Sequence, residues 1–443
     1  MKKSLFAIAA VTAFAGAAQA QSSVTVYGIL DVGYTGASNV VTNPTGVGNT
    51  AVNVGRIGNS MESGSRLGFR GNEDLGGGTS AQFTFELGIQ PTGNAGSNPT
   101  GQNNGAAQTA TGTYAGQGNA TWNPDVRQAF VGLTQKGAGQ IRIGTQNTLY
   151  WEQGNNIVGE LAQTAGSMLA PSTVGAFFDN GTTATAAAAY MNAYNSRTTN
   201  TVNLRTERMS GVVAKASYSQ SNQSSVYALA ANNGYTGGTS DQTGYQVALD
   251  WRIQKANLQA SYSAFQSQNP FGTVITTPTN TGGVQTAAPG NTFAGAVGGW
   301  GTGTQGSNVK DNQLLITGSY DFGMLKAFAG YTNRTLTSTT APNDQLARSA
   351  YEIGVRSFIS PKIEGWASGG LGKMNLQGVG GNTANLSGWQ LGSNYWMSKR
   401  TNLYAIVGQN LVSSTTAVAG VANSVNTNGQ AISQYSLGVR HTF

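Results

Sequence analysis

The sequence predicts an all-β protein, a transmembrane, sixteen-stranded antiparallel β-barrel. Three observations predict it. Apolar and polar residues alternate with a period of two in many short segments, the connections between those segments alternate between short and long, and after residue 20 no apolar run is long enough for a membrane-spanning helix.

Residues 1–20 read as a secretory signal peptide, with Lys2 and Lys3, an apolar run from Leu5 to about Ala15, and Ala18-Gln19-Ala20 before Gln21. That run falls short of the roughly 20 residues a membrane helix needs. The mature chain is therefore expected to be one barrel domain over 21–443.

The first strand is expected at 24–34, VTVYGILDVGY. Val24, Val26, Gly28, Leu30, Val32 and Tyr34 share one face, with Thr25, Tyr27, Ile29, Asp31 and Gly33 on the other. Over 82–89, Phe83, Phe85, Leu87 and Ile89 oppose Gln82, Thr84, Glu86 and Gly88. Over 245–251, Tyr245, Val247, Leu249 and Trp251 oppose Gln246, Ala248 and Asp250. Similar segments lie near 64–71, 139–145, 198–206, 212–219, 257–265, 311–320, 324–331, 348–358, 362–371, 386–396, 401–410 and 432–443. Segment 127–133 is less regular, because turning Arg127 inward also turns Val131 and Leu133 inward. With it the strands number sixteen.

Short turns are expected near 73–78, 134–138, 207–211, 252–256, 321–323, 359–361 and 397–400. Long polar loops are expected near 35–63, 90–124, 146–197, 220–242, 267–310, 332–347, 372–385 and 411–430. This alternation, with an even strand number and both termini on one side, is the pattern of outer-membrane barrels, whose short turns are periplasmic. Closure follows because an open sheet edge in lipid would leave backbone groups unpaired at several kcal/mol each. A barrel of this size leaves an aqueous lumen.

Composition narrows the function classes. Charged residues are 9% of the chain against about a quarter in ordinary soluble domains. Cysteine is absent, which excludes disulfides and thiolate sites. The formal charge of +7 drops to about +5 without Lys2 and Lys3, and the cations are scattered singly. A nucleic-acid partner is not expected. A soluble β-solenoid or multi-sandwich adhesin is the competing architecture, but these spacings keep no fixed repeat. Aromatics at strand ends, Tyr34, Trp251, Tyr320, Tyr331, Trp396 and Phe443, suit the girdles of a barrel.

Several motifs are recognisable together: YGILDVGY from 27, SRLGFRGNEDLGGGTSAQFTFELG over 65–88, RQAFVGL from 127, IRIGTQ and the terminal SLGVRHTF. The chain resembles the Gram-negative general (diffusion) porins, beta-proteobacterial type, over nearly all of 21–443. The resemblance is densest in the first third and at the C-terminus, and loosest in the long loops. It implies an outer-membrane homotrimer, passing small hydrophilic solutes and ions by passive diffusion, with outer-membrane lipid and the barrel-insertion machinery as partners and no cofactor. It also implies that the third long loop folds into the lumen, where its carboxylates face wall arginines. The matching loop is 146–197, with Glu152, Glu160 and Asp179; the matching wall residues are Arg66 and Arg127. Where the family commonly has Gly-Arg-Gln, this chain reads Gly144-Thr145-Gln146, so one expected cation is missing. Arg142, opposite Ile141 and Ile143, is the candidate substitute at another depth, and the anion preference the family implies is weaker. The resemblance also makes Phe443 part of the assembly signal.

Arg66 and Arg70 share a face with Gly68, opposite Leu67 and Phe69, and are expected to line the lumen with Asp31 and Glu86. They form either a cation track or a wall brace paired with those carboxylates. The loop carboxylates either narrow the pore or are solvated, and so long a loop favours function. Asp74-Leu75-Gly76-Gly77-Gly78 has no following helix or Lys-Ser/Thr pair, so it reads as a turn rather than a phosphate cradle. His441 is the sole histidine and reads as structural, leaving no metal site and no serine-histidine catalytic arrangement away from the terminus. The chain is expected not to be an enzyme. A substrate-specific channel or a surface receptor/adhesin barrel remains the alternative, although the inward positions are mostly Thr, Ser, Gln, Gly and charges rather than an aromatic slide.

Overall fold

The computed structural model describes residues 23–43, 46, 49–59, 62–89, 91–92, 125–157, 167–169, 197–229, 234–268, 309–338, 345–377, 383–416 and 429–443. The expected signal peptide, Glu160 and Asp179 lie outside them. The described strands form one antiparallel sheet of seventeen segments. These are β1 Ser23–Thr42, β2 Thr50–Asn59, β3 Arg66–Gly76, β4 Thr79–Gly88, β5 Asp125–Gln135, β6 Gly139–Asn147, β7 Arg197–Thr206, β8 Val212–Leu229 and β9 Gly234–Ile253. They continue as β10 Ala256–Gln268, β11 Val309–Asp321, β12 Lys326–Ser338, β13 Gln345–Ser360, β14 Ile363–Gln377, β15 Thr383–Trp396, β16 Thr401–Val412 and β17 Gly429–Thr442. A helix, α1, spans Leu149–Ile157.

β1 closes the ring. One of its edges pairs with β17, from Ile29↔Thr442 to Thr42↔Gly429. The other pairs with β3 from Ser23↔Asn72 to Ile29↔Arg66, then with β2 from Val32↔Asn59 to Val41↔Thr50. β2 and β3 are therefore two halves of one stave, and the seventeen segments occupy sixteen positions of a closed barrel.

The staves are longer than the alternation predicts. The expected loop 35–63 instead holds the end of β1 and all of β2, and the expected loop 220–242 shrinks to the link between β8 and β9. The loops expected at 332–347, 372–385 and 411–430 are shortened in the same way. At this end of the barrel the backbone ladder continues after the apolar pattern stops. Ladder hydrogen bonds are made by every non-proline backbone, whereas alternation persists only where the two faces meet different solvents.

Burial is inverted relative to a soluble protein. Val24, Val26, Phe85, Val247, Leu249, Ile353, Leu391 and Leu437 point outward and are exposed, while Asp31, Asn203, Gln246, Asp311, Gln390 and Asn402 are buried inside. The irregularity at 127–133 has a structural cause. The β4–β5 register steps from Glu86↔Gln128 to Leu87↔Val126, which leaves Arg127 at a bulge. The extra residue lets Arg127 turn inward to Glu86 while Val131 and Leu133 stay exposed outside. Trp396 departs from the expected girdle: its Nε1 donates to Glu364 Oε2 at 3.3 Å, and the outward aromatic at that stave end is Tyr395. Period two dictates this, because Trp396 has the parity of the buried Asn394.

The C-terminus sits in the β1 seam. The Gly28 amide donates to the Phe443 carbonyl and the Phe443 amide to the Gly28 carbonyl, both at 3.1 Å. A Cβ on Gly28 would lie 2.4 Å from the Phe443 ring and 2.6 Å from the Arg66 carbonyl oxygen. Gly28→Val is expected to lower the yield of folded, heat-modifiable barrel severalfold in outer-membrane fractions, since backbone on one side and a ring on the other leave the side chain no room. An unchanged yield would show that the seam can open to admit it.

Candidate functional site: the lumen wall and the segment docked inside it

After β6 the chain turns into the barrel. Thr148 caps α1, its Oγ1 accepting from the Trp151 amide at 3.0 Å and its carbonyl from the Glu152 amide at 3.0 Å. α1 packs on the inner faces of β9, β10 and β11. The Leu149 amide donates to Gln246 Oε1 at 2.9 Å, and Gln153 Nε2 donates to the Leu249 carbonyl at 3.4 Å. Residues 167–169 dock further round the wall. Glu352 Oε2 accepts from Ser167 Oγ at 2.8 Å and from the Met168 and Leu169 amides at 2.7 and 3.2 Å. Arg348 donates to the Met168 carbonyl at 2.5 Å. Tyr150 Oη joins the two pieces, donating to the Leu169 carbonyl at 2.9 Å and accepting from Thr332 Oγ1 at 3.2 Å.

Apolar packing reinforces the docking. Leu149, Met168, Leu315, Leu336 and Met374 are fully buried, and Leu169 packs with Trp366, Tyr404 and Ile406 of the wall, and with Phe328. Leu315, Leu336 and Trp366 sit at inward positions, where water would otherwise meet them. Gly330 and Gly370 admit the segment, because a Cβ there would meet Leu169 Cδ1 at 2.4 Å and Met168 Cγ at 2.8 Å.

The wall cations separate into groups. Glu86, 5% exposed, receives Arg127 Nε at 2.6 Å, Tyr27 Oη at 3.0 Å and Arg66 Nε at 3.9 Å. Arg70 lies over the Tyr27 ring at 5.4 Å. Arg66 and Arg127 thus share a wall carboxylate, and Arg142 lies over the Phe130 ring at 4.9 Å. Glu152, on α1, binds Arg205 and, at 2.8 Å, Lys215. Burial alone would raise its carboxyl pKa, but the Arg205 and Lys215 charges outweigh that and hold it below the ordinary carboxylate range.

Asp31 does not brace an arginine. It accepts from Tyr404 Oη at 2.6 Å and from the Glu62 and Ser63 amides at 2.8 and 2.6 Å, fixing the break between β2 and β3. Glu62 in turn meets Asn402 Nδ2 at 2.9 Å and Arg440 at 3.4 Å. A buried bidentate pair, Arg334 with Asp311 at 2.9 and 2.5 Å, ties β12 to β11. His441 Nδ1 hydrogen-bonds Thr401 Oγ1 at 2.9 Å near the last turn.

Sequence reasoning missed Glu352, Arg348, Arg205 and Lys215. All four have the inward parity of their strands, Glu352 between the outward Tyr351 and Ile353, so parity was the signal available. Their partners across the lumen carried none.

A closed barrel with an apolar outer wall, a polar inner wall and a chain segment docked within it defines an outer-membrane β-barrel of the porin class. A family described as Gram-negative porin matches residues 7–415, and the chain belongs to that family and to the outer membrane. Among curated proteins, an outer membrane porin protein of Bordetella pertussis is 31% identical over 156 residues, 34% of each chain. Outer membrane porin protein 32 of Delftia acidovorans is 48% identical over 86 residues, 19% of this chain and 22% of that one. The matched stretches span about a third and about a fifth of those relatives' lengths. Among solved structures, an anion-selective porin from Comamonas acidovorans has a TM-score of 0.60 at 17% identity, covering 96% of this chain and 100% of that one. An in-vitro folded OmpT of Vibrio cholerae has a TM-score of 0.55 at 14% identity, covering 95% and 98%.

Proposed function

We propose that the chain is a general porin: a homotrimer of water-filled channels passing small hydrophilic solutes and ions by passive diffusion. The observation that carries this reading is the polar inner wall of a closed barrel with α1 and residues 167–169 packed against it. An ion entering bare hydrocarbon faces a cost of order 20 kcal/mol, and a water-lined lumen removes most of it. The pore is narrowed by segment 146–197, with its charges and those of Arg66, Arg70, Arg127 and Arg142 biasing which ions pass. Glu160 and Asp179 are assigned to the same constriction on the family resemblance alone. The Comamonas structure is described as anion-selective, and an excess of wall cations supports a mild anion preference here. One OmpT structure is described as a trimer form, and the family resemblance extends that assembly to this chain. Phe443, seated at the β1 seam, is assigned to recognition by the insertion machinery. The lumen's work is electrostatic and steric, so no catalytic step is assigned.

Single-channel recording of purified protein in planar bilayers is the test. Conductance steps grouped in threes with weak selectivity are expected. A folded protein that conducts nothing would refute the reading.

A further inference from the structure

On the turn side of α1 the lumen wall forms an open cavity of about 400 Å³, lined by Arg205, Arg208, Lys215 and Arg252 together with the carboxylates of Glu152 and Asp250. None of these cations belongs to the Arg66–Arg127 group. Each carboxylate is already shared. Glu152 holds Arg205 and Lys215, the latter at 2.8 Å, and Asp250 holds Arg208 at 3.1 Å and Arg252 at 3.3 Å. Four cations against two carboxylates leave two positive charges uncompensated around one open space.

The walls of this cavity are fixed and its mouth is open. Side chains of Lys215 and Asp250 are 4% and 5% exposed, whereas that of Arg252 is 54% exposed. Gln259 Nε2 also donates to Asp250 Oδ2 at 3.2 Å, so the acid is held in place without all its cations. The Nε of Arg205 is buried behind the cavity wall with no hydrogen-bond partner. Guanidinium groups present planar, paired donors that suit oxyanions.

We propose that this cavity is a binding station for a small dianion, a phosphate or dicarboxylate, on the turn side of the docked segment. The inference rests on the chain being a water-filled channel. The dianion supplies the two missing negative charges, and its oxygens take the outward donors of Arg208 and Arg252. Partial exposure keeps the affinity modest, as conduction requires, because a solute held tightly would plug the pore. Dianions would then pass with saturable kinetics while monoanions pass by simple diffusion.

The experiment is single-channel block. Purified protein in planar bilayers in KCl receives sodium phosphate at alkaline pH, where phosphate is a dianion, with sodium acetate as the monoanion comparison. Phosphate is expected to reduce the chloride current with a defined half-blocking concentration, and acetate is not. Arg252→Gln should raise that concentration about threefold and Asp250→Asn should lower it about threefold, a unit charge at a half-exposed site being a modest effect. A role confined to bracing the wall does not predict opposite shifts. Equal half-block in wild type and both variants, or equal block by acetate, would overturn the proposal while leaving the diffusion channel standing. Absence of any KCl conductance would overturn the channel reading and this one with it.

Discussion

Glu352→Ala is expected to widen the channel without unfolding the barrel. One oxygen of this carboxylate gathers the Ser167 hydroxyl and the Met168 and Leu169 amides within 3.2 Å. Hydrogen bonds to a charged group contribute roughly 1.5–3 kcal/mol each and are not additive, so losing the anchor costs about 3 kcal/mol. That is about a 100-fold shift toward the undocked state. The ties that remain include the Arg348 contact to the Met168 carbonyl, the Tyr150 contact to the Leu169 carbonyl and the apolar seats of Met168 and Leu169. The segment should therefore come and go rather than leave. Single-channel traces should show a larger, noisier open level and admit larger neutral polymers. Glu352→Gln keeps an acceptor and should fall between wild type and Ala. Every stave retains its ladder, so the heat-modifiable folded band should persist. Unchanged conductance and size cut-off in the Ala variant would show that residues 167–169 do not control the pore.

Arg66→Ala is expected to shift the reversal potential in a KCl gradient toward cations. Arg127→Ala should do so as well, at a greater cost in stability. The two side chains have different duties around Glu86. Arg127 makes the 2.6 Å contact, and Arg66 stands off at 3.9 Å. Removing Arg66 leaves the carboxylate paired and lowers the local charge by one unit. Removing Arg127 strips a nearly buried carboxylate of its closest cation, at a cost of roughly 3 kcal/mol. A shift on the order of 10 mV is expected in dilute salt, fading near 1 M where the screening length is only about 3 Å. If Arg66 only braces the wall, its removal will change melting and leave the reversal potential where it was.

Arg66, Arg127 and Glu86 stand on neighbouring staves, and their inward direction follows from period two once the β5 bulge at Arg127 is known. Glu352 shows the same parity, but its partner Ser167 lies 185 residues away, in a segment without alternation. Asp31 is similar: the sequence suggested an arginine partner, and its Tyr404 lies 373 residues along the chain. The β2 stave was missed because Gly, Asn and small apolar residues over 50–59 carry little contrast between faces. Its place is set by pairing with β1.

By itself the sequence determined the class of fold, the sixteen positions of the ring and the two-faced character of the strands it located. Lipid outside and water inside write that information as a two-residue alternation, which is local and survives without knowledge of contacts. Only the tertiary structure decided how far the staves extend, where the 167–169 segment docks, and which carboxylate each arginine meets. Those outcomes depend on side chains brought together across the lumen by closure. Separations of hundreds of residues leave no periodic trace in the chain, and the geometry that pairs them exists only once the ring is complete.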